Sequence, residues 1–138
     1  MSTRSRIGIS QEDGSVKSIY CHYDGYPAGV GQTLIENYTS PVEVMNLIDK
    51  GDLSSLHSQE HYADRGETDV DAIVTPENEY VSYTGDCWGE YAYLYKDGEW
   101  LVQMVRNDDD FGFSKQFTPV QSVLMSTKKK YTNHGKVL

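Results

Sequence analysis

The residues able to do chemistry gather in one stretch: Tyr20, His22, Tyr23, Asp24 and Tyr26, with Gly25, Gly29 and Gly31 interleaved or just beyond. His22 and Asp24 are two positions apart. On an extended strand they share a face, and a carboxylate beside an imidazole is an acid/base arrangement. Cys21 and His22 are adjacent and point to opposite faces, so they form no nucleophile and base pair. No nucleophile is assigned to His22 and Asp24, and a lone strand His beside an Asp serves structure more often than catalysis. The spacing Gly25-x-x-x-Gly29-x-Gly31 matches neither phosphate-loop pattern. A strand end leading into a helix nevertheless gathers anions, because free N–H groups and the helix dipole point there. Asp24 opposes an anion, and Arg4 and Arg6 offset it if they reach that end. The candidate binding residues are therefore Arg4, Arg6, Tyr20, His22, Tyr23, Asp24, Gly25, Tyr26, Gly29 and Gly31, with no catalytic residue, metal ligand or cofactor assigned.

The elements that must position them follow from pattern. Residues 6–9 and 16–23 read as strands joined through Asp13-Gly14, a hairpin signal. The second strand has no cleanly polar face, as expected of a central strand. Pro27 suits a first helical position, and Val30, Leu34, Ile35 and Tyr38 form one apolar stripe. Gly29 and Gly31 loosen that helix by about 1 kcal/mol each, offset by close packing or by a backbone approach. Ser40-Pro-Val-Glu43 is a capping box for a second helix stopped by Gly51, and 52–56 reads as one further turn. Residues 58–71 read as a long loop, 72–74 and 80–83 as short strands, and 90–95 and 99–105 as a hairpin through Asp97-Gly98. Tyr91, Tyr93 and Tyr95 share one face and are expected to pack under a helix, and Trp88 is expected to cap the core. Residues 111–125 read as helix or edge strand. The resulting fold class is α+β, an antiparallel sheet of about four to five strands with two helices on one face, in one domain over 1–125, followed by a basic, flexible tail over 126–138.

Composition bounds the function classes. The chain has 138 residues and a formal charge of −9, and the first 127 positions hold eight basic against twenty-one acidic residues, a net −13. A body so acidic repels a phosphate backbone, so duplex nucleic acid is not an expected partner. Lys128, Lys129 and Lys130 read as a solvated tail. No apolar run approaches the roughly 20 residues of a membrane span, and the N-terminal Met1-Ser-Thr-Arg-Ser-Arg6 lacks a signal peptide's apolar stretch. Two cysteines, Cys21 and Cys87, suit a reduced cytoplasmic protein, with Cys21 a buried inert thiol. His57 and His61 would share a helix face, but no third ligand stands at a defined offset.

The strings Met1-Ser-Thr-Arg-Ser-Arg-Ile-Gly-Ile9, Ile19-Tyr-Cys-His-Tyr-Asp-Gly-Tyr-Pro27 and Gly29-Val-Gly31, with Gly51-Asp-Leu-Ser-Ser-Leu56, Asp64-Arg-Gly66, Gly89-Glu-Tyr-Ala-Tyr-Leu94 and Asp97-Gly-Glu-Trp100, resemble a group of small proteins carried by tailed bacteriophages, prophages and mobile elements. The likeness reaches about residue 105, and Tyr23 stands where that group usually has Trp. It implies origin more than mechanism, a product acting in the bacterial cytoplasm. The reading adopted is a small acidic accessory protein that binds a host macromolecule, with a host protein the expected partner, through an acidic or aromatic surface without catalysis. The alternative is a small-ligand or nucleotide binder at the Tyr20–Gly31 corner, and the third reading is an acid/base enzyme at His22 and Asp24.

Overall fold

The computed structural model describes residues 3–56, 60–62, 71–105 and 116–125, and only the backbone of 60–62. The fold is α+β, built on a mixed sheet. Strands β1 (Ser5–Ser10), β2 (Ser15–Cys21), β3 (Leu53–Leu56), β4 (Glu60–Tyr62), β6 (Tyr91–Lys96), β7 (Glu99–Met104) and β8 (Thr118–Pro119) run in the order β4-β3-β2-β1-β6-β7-β8. An eighth strand, β5 (Ile73–Pro76), pairs with β2 beside that path. The expected purely antiparallel sheet of four to five strands is thus corrected on both counts, since β1 runs parallel to β6 and β2 parallel to β3. Parallel pairing requires a long crossover, and the helices supply it.

Local chemistry explains both hairpins. The β1–β2 turn closes at Gly14, φ +85°, and the β6–β7 turn runs through Asp97 and Gly98, φ +52° and +78°. Two left-handed residues in succession match the twist of the flanking strands. Helix α1 (Gln32–Asn37) follows one wider turn, Pro27–Gly31, and α2 (Pro41–Asp49) begins at Ser40, whose Oγ accepts from the Glu43 N–H at 3.3 Å. Both cover one face of the sheet, where Val30, Leu34, Val44, Leu47 and Ile48 pack on Ile7, Ile9, Ile19, Cys21 and Tyr93. Val120 and Leu124 of a last helix, α4 (residues 120–125), join them, so residues 118–125 supply both an edge strand and a helix. None of the helices among the described residues is long and apolar enough to cross a membrane.

The opposite face is also covered, a second correction to the expected arrangement. Residues 80–83 belong not to a strand but to α3 (Tyr80–Asp86). Tyr80 lies fully buried over Gly8 of β1, where an added Cβ would stand 2.6 Å from Val16 and 3.0 Å from the Tyr80 ring. The Tyr80 hydroxyl donates to the Tyr93 carbonyl at 2.6 Å. That anchoring decides between helix and strand where local propensity does not. Residues 53–56 are likewise strand rather than a helical turn, because Gly51 at φ +93° ends α2 and turns the chain onto the edge of β2. Tyr93 and Tyr95 are buried beneath the helices, as expected, and Gly31 gives Tyr93 and Val120 room to approach. The tail at 126–138 and His57 lie outside the described residues, and His61 is in β4 rather than on a helix.

Burial pushes the Cys21 thiol up to about 12 and raises the phenols of Tyr80 and Tyr93 well above the ordinary tyrosine range. Each group stays protonated in the fold while the unfolded chain ionises, so the unfolded state binds fewer protons and stability falls as pH rises. From about pH 9, Cys21 contributes a loss near 1.4 kcal/mol per pH unit, and the two tyrosines steepen it above about pH 10. Urea unfolding midpoints measured across this range should fall accordingly. In Cys21→Ala the part between about pH 9 and 10 should be shallower; an unchanged slope would refute the thiol's role.

Candidate functional site

The C-terminal end of β2 and the N-terminal ends of β1 and β6 coincide, because Ser5 lies opposite both Cys21 and Tyr91. Three backbone bonds close this end of the sheet: Tyr23 N–H to Ser54 O at 2.8 Å, Gly25 N–H to Thr3 O at 2.8 Å, and Glu90 N–H to Arg4 O at 2.7 Å. The candidate residues named from sequence do all collect at this end, but they divide between two environments.

On the α3 side lie Arg4, Arg6, Tyr20 and His22. Arg6 is only 4% exposed. Its Nε donates to Ser18 Oγ at 3.0 Å, its Nη2 to Ser18 O at 3.0 Å and its Nη1 to Cys87 Sγ at 3.8 Å, while the guanidinium carbon stands 5.1 Å from the centre of the Tyr83 ring. It is part of the fold's interior rather than a cation offered to a ligand. Tyr20 Oη lies 2.8 Å from His22 Nδ1, and the Tyr23 ring meets the imidazole edge-on at 4.5 Å. Burial raises the Tyr20 phenol, an effect opposed by the Arg4 guanidinium beside it. His22 is therefore oriented by Tyr20 and Tyr23. The strand ends at Cys21, and Asp24 follows at φ +57°, so period-two alternation does not extend to it.

On the α1 side lie Asp24, Gly25, Tyr26, Gly29 and Gly31. The helix-start N–H groups of Gly29 and Val30 donate to Tyr26 O and Asp24 O, both at 2.9 Å, and the Tyr93 hydroxyl donates to Gly25 O at 2.6 Å. Gly29 has no Cβ because the Asp24 carbonyl occupies that place, and Gly25 sits against Ser5 and Thr3. These glycines serve close approach of the chain to itself. The Cys21 thiol is buried beneath, with its pKa raised first by loss of water. Among the described residues no group of three or more His, Cys, Asp or Glu is placed to hold a metal ion. A groove of about 780 Å³ lined by Gly14, Glu77, Lys96 and Phe117 lies at the other end of the sheet, as does a smaller one of about 210 Å³ beside Tyr95 and Trp100.

What this end exposes is aromatic. Tyr23 is 50% exposed, Tyr26 41% and Trp88 71%, which corrects the expectation that Trp88 caps the core. Trp88 reaches this position through the end of α3. The Gly89 N–H donates to Thr84 O at 2.8 Å and the Trp88 N–H to Gly85 O at 3.0 Å, the paired bonds of a Schellman termination. That motif needs a left-handed residue at the position held by Trp88, φ +64°, where glycine is usual. A left-handed conformation costs a side-chain-bearing residue about 1–2 kcal/mol. Here the ring recovers little of that by burial. The only signal in the sequence was the order Trp88-Gly89, and it could not separate a capping ring from an exposed one.

Comparison of the chain with protein-family models, curated proteins and solved structures finds no match. Among the described residues this end is an aromatic-bearing surface, with Tyr23, Tyr26 and Trp88 exposed.

Trp88→Gly should relieve the left-handed cost, partly offset by about 0.5–1 kcal/mol of added freedom in the unfolded chain. Its stability in urea should equal or exceed the parent's by up to about 1 kcal/mol, and exceed that of Trp88→Ala by about 1 kcal/mol. A glycine variant less stable than the parent by that amount would show that the ring packs in the fold.

Proposed function

We propose that the chain works by binding a protein and has no chemistry of its own, as a small acidic accessory protein of the phage-borne type that engages a host protein in the bacterial cytoplasm. The observation that carries this reading is Trp88, a large aromatic side chain 71% exposed at a backbone position that favours glycine. Folding alone gives no reason for a Trp there, whereas exposed Trp and Tyr side chains are the residues that dominate binding energy at protein interfaces. Tyr23 and Tyr26 flank the same end of the sheet. The reading is further supported by the state of the other candidates: Arg6 is buried, His22 is held by two aromatic neighbours, and the N–H groups of Gly29 and Val30 bond within the corner.

The test is affinity capture from bacterial lysate with the full chain as bait, followed by mass spectrometry of retained proteins and small molecules. A host protein should be enriched by the parent, and its capture should fall about tenfold or more with Trp88→Gly, the loss expected of an interface anchor. Equal capture by the glycine variant would move the interface elsewhere. Retention of a small molecule with no protein would favour the ligand-binding alternative.

A further inference from the structure

We infer that the groove of about 780 Å³ at the other end of the sheet binds a small zwitterion with a flat apolar group, of the α-amino acid class. This is a second site, separate from the aromatic surface, and it stands or falls independently of the protein-binding reading. Its volume is that of small-molecule sites, about 300–1,000 Å³, and so is its make-up, apolar walls with a few placed polar groups. Both charges sit together. Glu77 opens the short turn Glu77–Glu79 ahead of α3, Lys96 ends β6, and Lys96 Nζ donates to Glu77 Oε2 at 2.7 Å. Glu77 is held twice more, by Ser10 Oγ donating to its Oε1 at 3.0 Å and by its own N–H donating to Gly14 O at 3.1 Å. The bond to Lys96 lowers the Glu77 carboxyl, and the same bond raises the Lys96 ammonium, so both stay charged through neutral pH.

The pair has capacity left for a ligand. Both side chains line the groove, Lys96 40% and Glu77 31% exposed, and an ammonium has more donors, and a carboxylate more lone pairs, than one ion pair uses. Among the described residues Val81 and Phe117 supply the apolar part of the lining. The Phe117 ring lies nearly parallel to that of buried Tyr80, at 8° and 6.4 Å between centres, and both Val81 and Phe117 pack on the cluster of Val16, Ala92 and Leu94. A half-buried flat ring is thus held beside two opposite charges. Charge then selects the ligand. A simple anion meets Lys96 but also the Glu77 carboxylate and a chain of net charge −9, and a simple cation meets Glu77 but also the ammonium beside it. A zwitterion sets its carboxylate on Lys96 and its ammonium on Glu77, closing a ring of alternating charges in which every ion has opposite neighbours. Its flat apolar group then meets Phe117 and Val81.

The experiment titrates the full chain with L-phenylalanine and follows the backbone amides by heteronuclear NMR. The signals of Glu77, Val81 and Lys96 should shift, and that of Trp88 should not. Phenylpropionate, which lacks the ammonium, phenethylamine, which lacks the carboxylate, and glycine, which lacks the ring, should each bind about tenfold or more weakly. Lys96→Met should weaken L-phenylalanine about tenfold and remove its advantage over phenethylamine, and Glu77→Gln should remove its advantage over phenylpropionate. Weakening of all four compounds alike in both variants would reduce the pair to a structural tie and overturn the inference. Equal binding of either singly charged compound by the parent would overturn it, as would an L-phenylalanine titration that shifts no groove amide or shifts only those around Trp88. The parent's ranking of the four compounds needs no variant, so it decides the matter even if a substitution unfolds the chain. None of these outcomes bears on the protein-binding reading, which the lysate capture tests through Trp88.

Discussion

The structure turns on how one strand's outer edge is shared. Along β2, β5 pairs with residues from Ser15 to Ser18 and β3 joins only at Cys21, which leaves a break in the ladder between them. A buried backbone group without a partner costs about as much as a lost hydrogen bond, so the break has to be filled. Two side chains fill it. Arg6 donates to the Ser18 carbonyl from across the sheet, and Asp52 Oδ1 accepts from the Tyr20 N–H at 2.8 Å. A guanidinium suits this task because its planar fork reaches a carbonyl, a hydroxyl and a sulfur at once. Burying it is tolerable only because those donors are used and the Tyr83 ring lies over its face.

This arrangement also locates the far loop. The same guanidinium that closes the β2 edge reaches Cys87, which caps the C-terminal end of α3, and Trp88 follows immediately. α3 is held at its other end by Tyr80, whose ring rests over Gly8 and whose hydroxyl bonds the β6 backbone. With both ends fixed, the Schellman turn leaves α3 in one place, and the left-handed residue it requires projects from the sheet end. The position is therefore determined by the fold, while the identity of the residue there is not. Glycine would serve the turn at lower conformational cost.

Much of the architecture was legible in the residues, and the rest was not for identifiable reasons. Asp13-Gly14, Asp97-Gly98 and Ser40-Pro-Val-Glu43 are local devices, each specified by a few neighbouring side chains, and all three form as read. The parallel β1–β6 pairing is non-local, and nothing near Ser5–Ser10 in the chain announces a partner at Tyr91. The helix at Tyr80–Asp86 was hidden because Tyr80-Val-Ser-Tyr83 is rich in strand formers, and only the cavity over Gly8 makes the helix preferable. The site divides the same way. The cluster from Tyr20 to Tyr26 was visible as composition, but the fate of Arg6 depended on an edge break that no spacing reveals. Exposure of Trp88 depended on a backbone conformation that the side chain itself disfavours.

That three rings share one end of a sheet has an energetic meaning beyond exposed area. Association loses the freedom of every loop and side chain it orders, and surfaces restrained beforehand lose less. Here Tyr23 is tied through its own N–H to Ser54, the residue after Asp24 through its N–H to Thr3, and the residue after Gly89 through its N–H to Arg4. The loops that carry the rings are thus continuations of the strand ladders and not free connections between them. Tyr and Trp have few rotatable bonds, so once their backbone is fixed little conformational freedom remains to be lost. A cleft for a small ligand needs concavity, and the glycines of the Tyr20–Gly31 corner use their missing Cβ atoms to bring chain against chain. An exposed end whose ring-bearing loops are held by backbone bonds is the feature on which the proposed protein-binding reading rests.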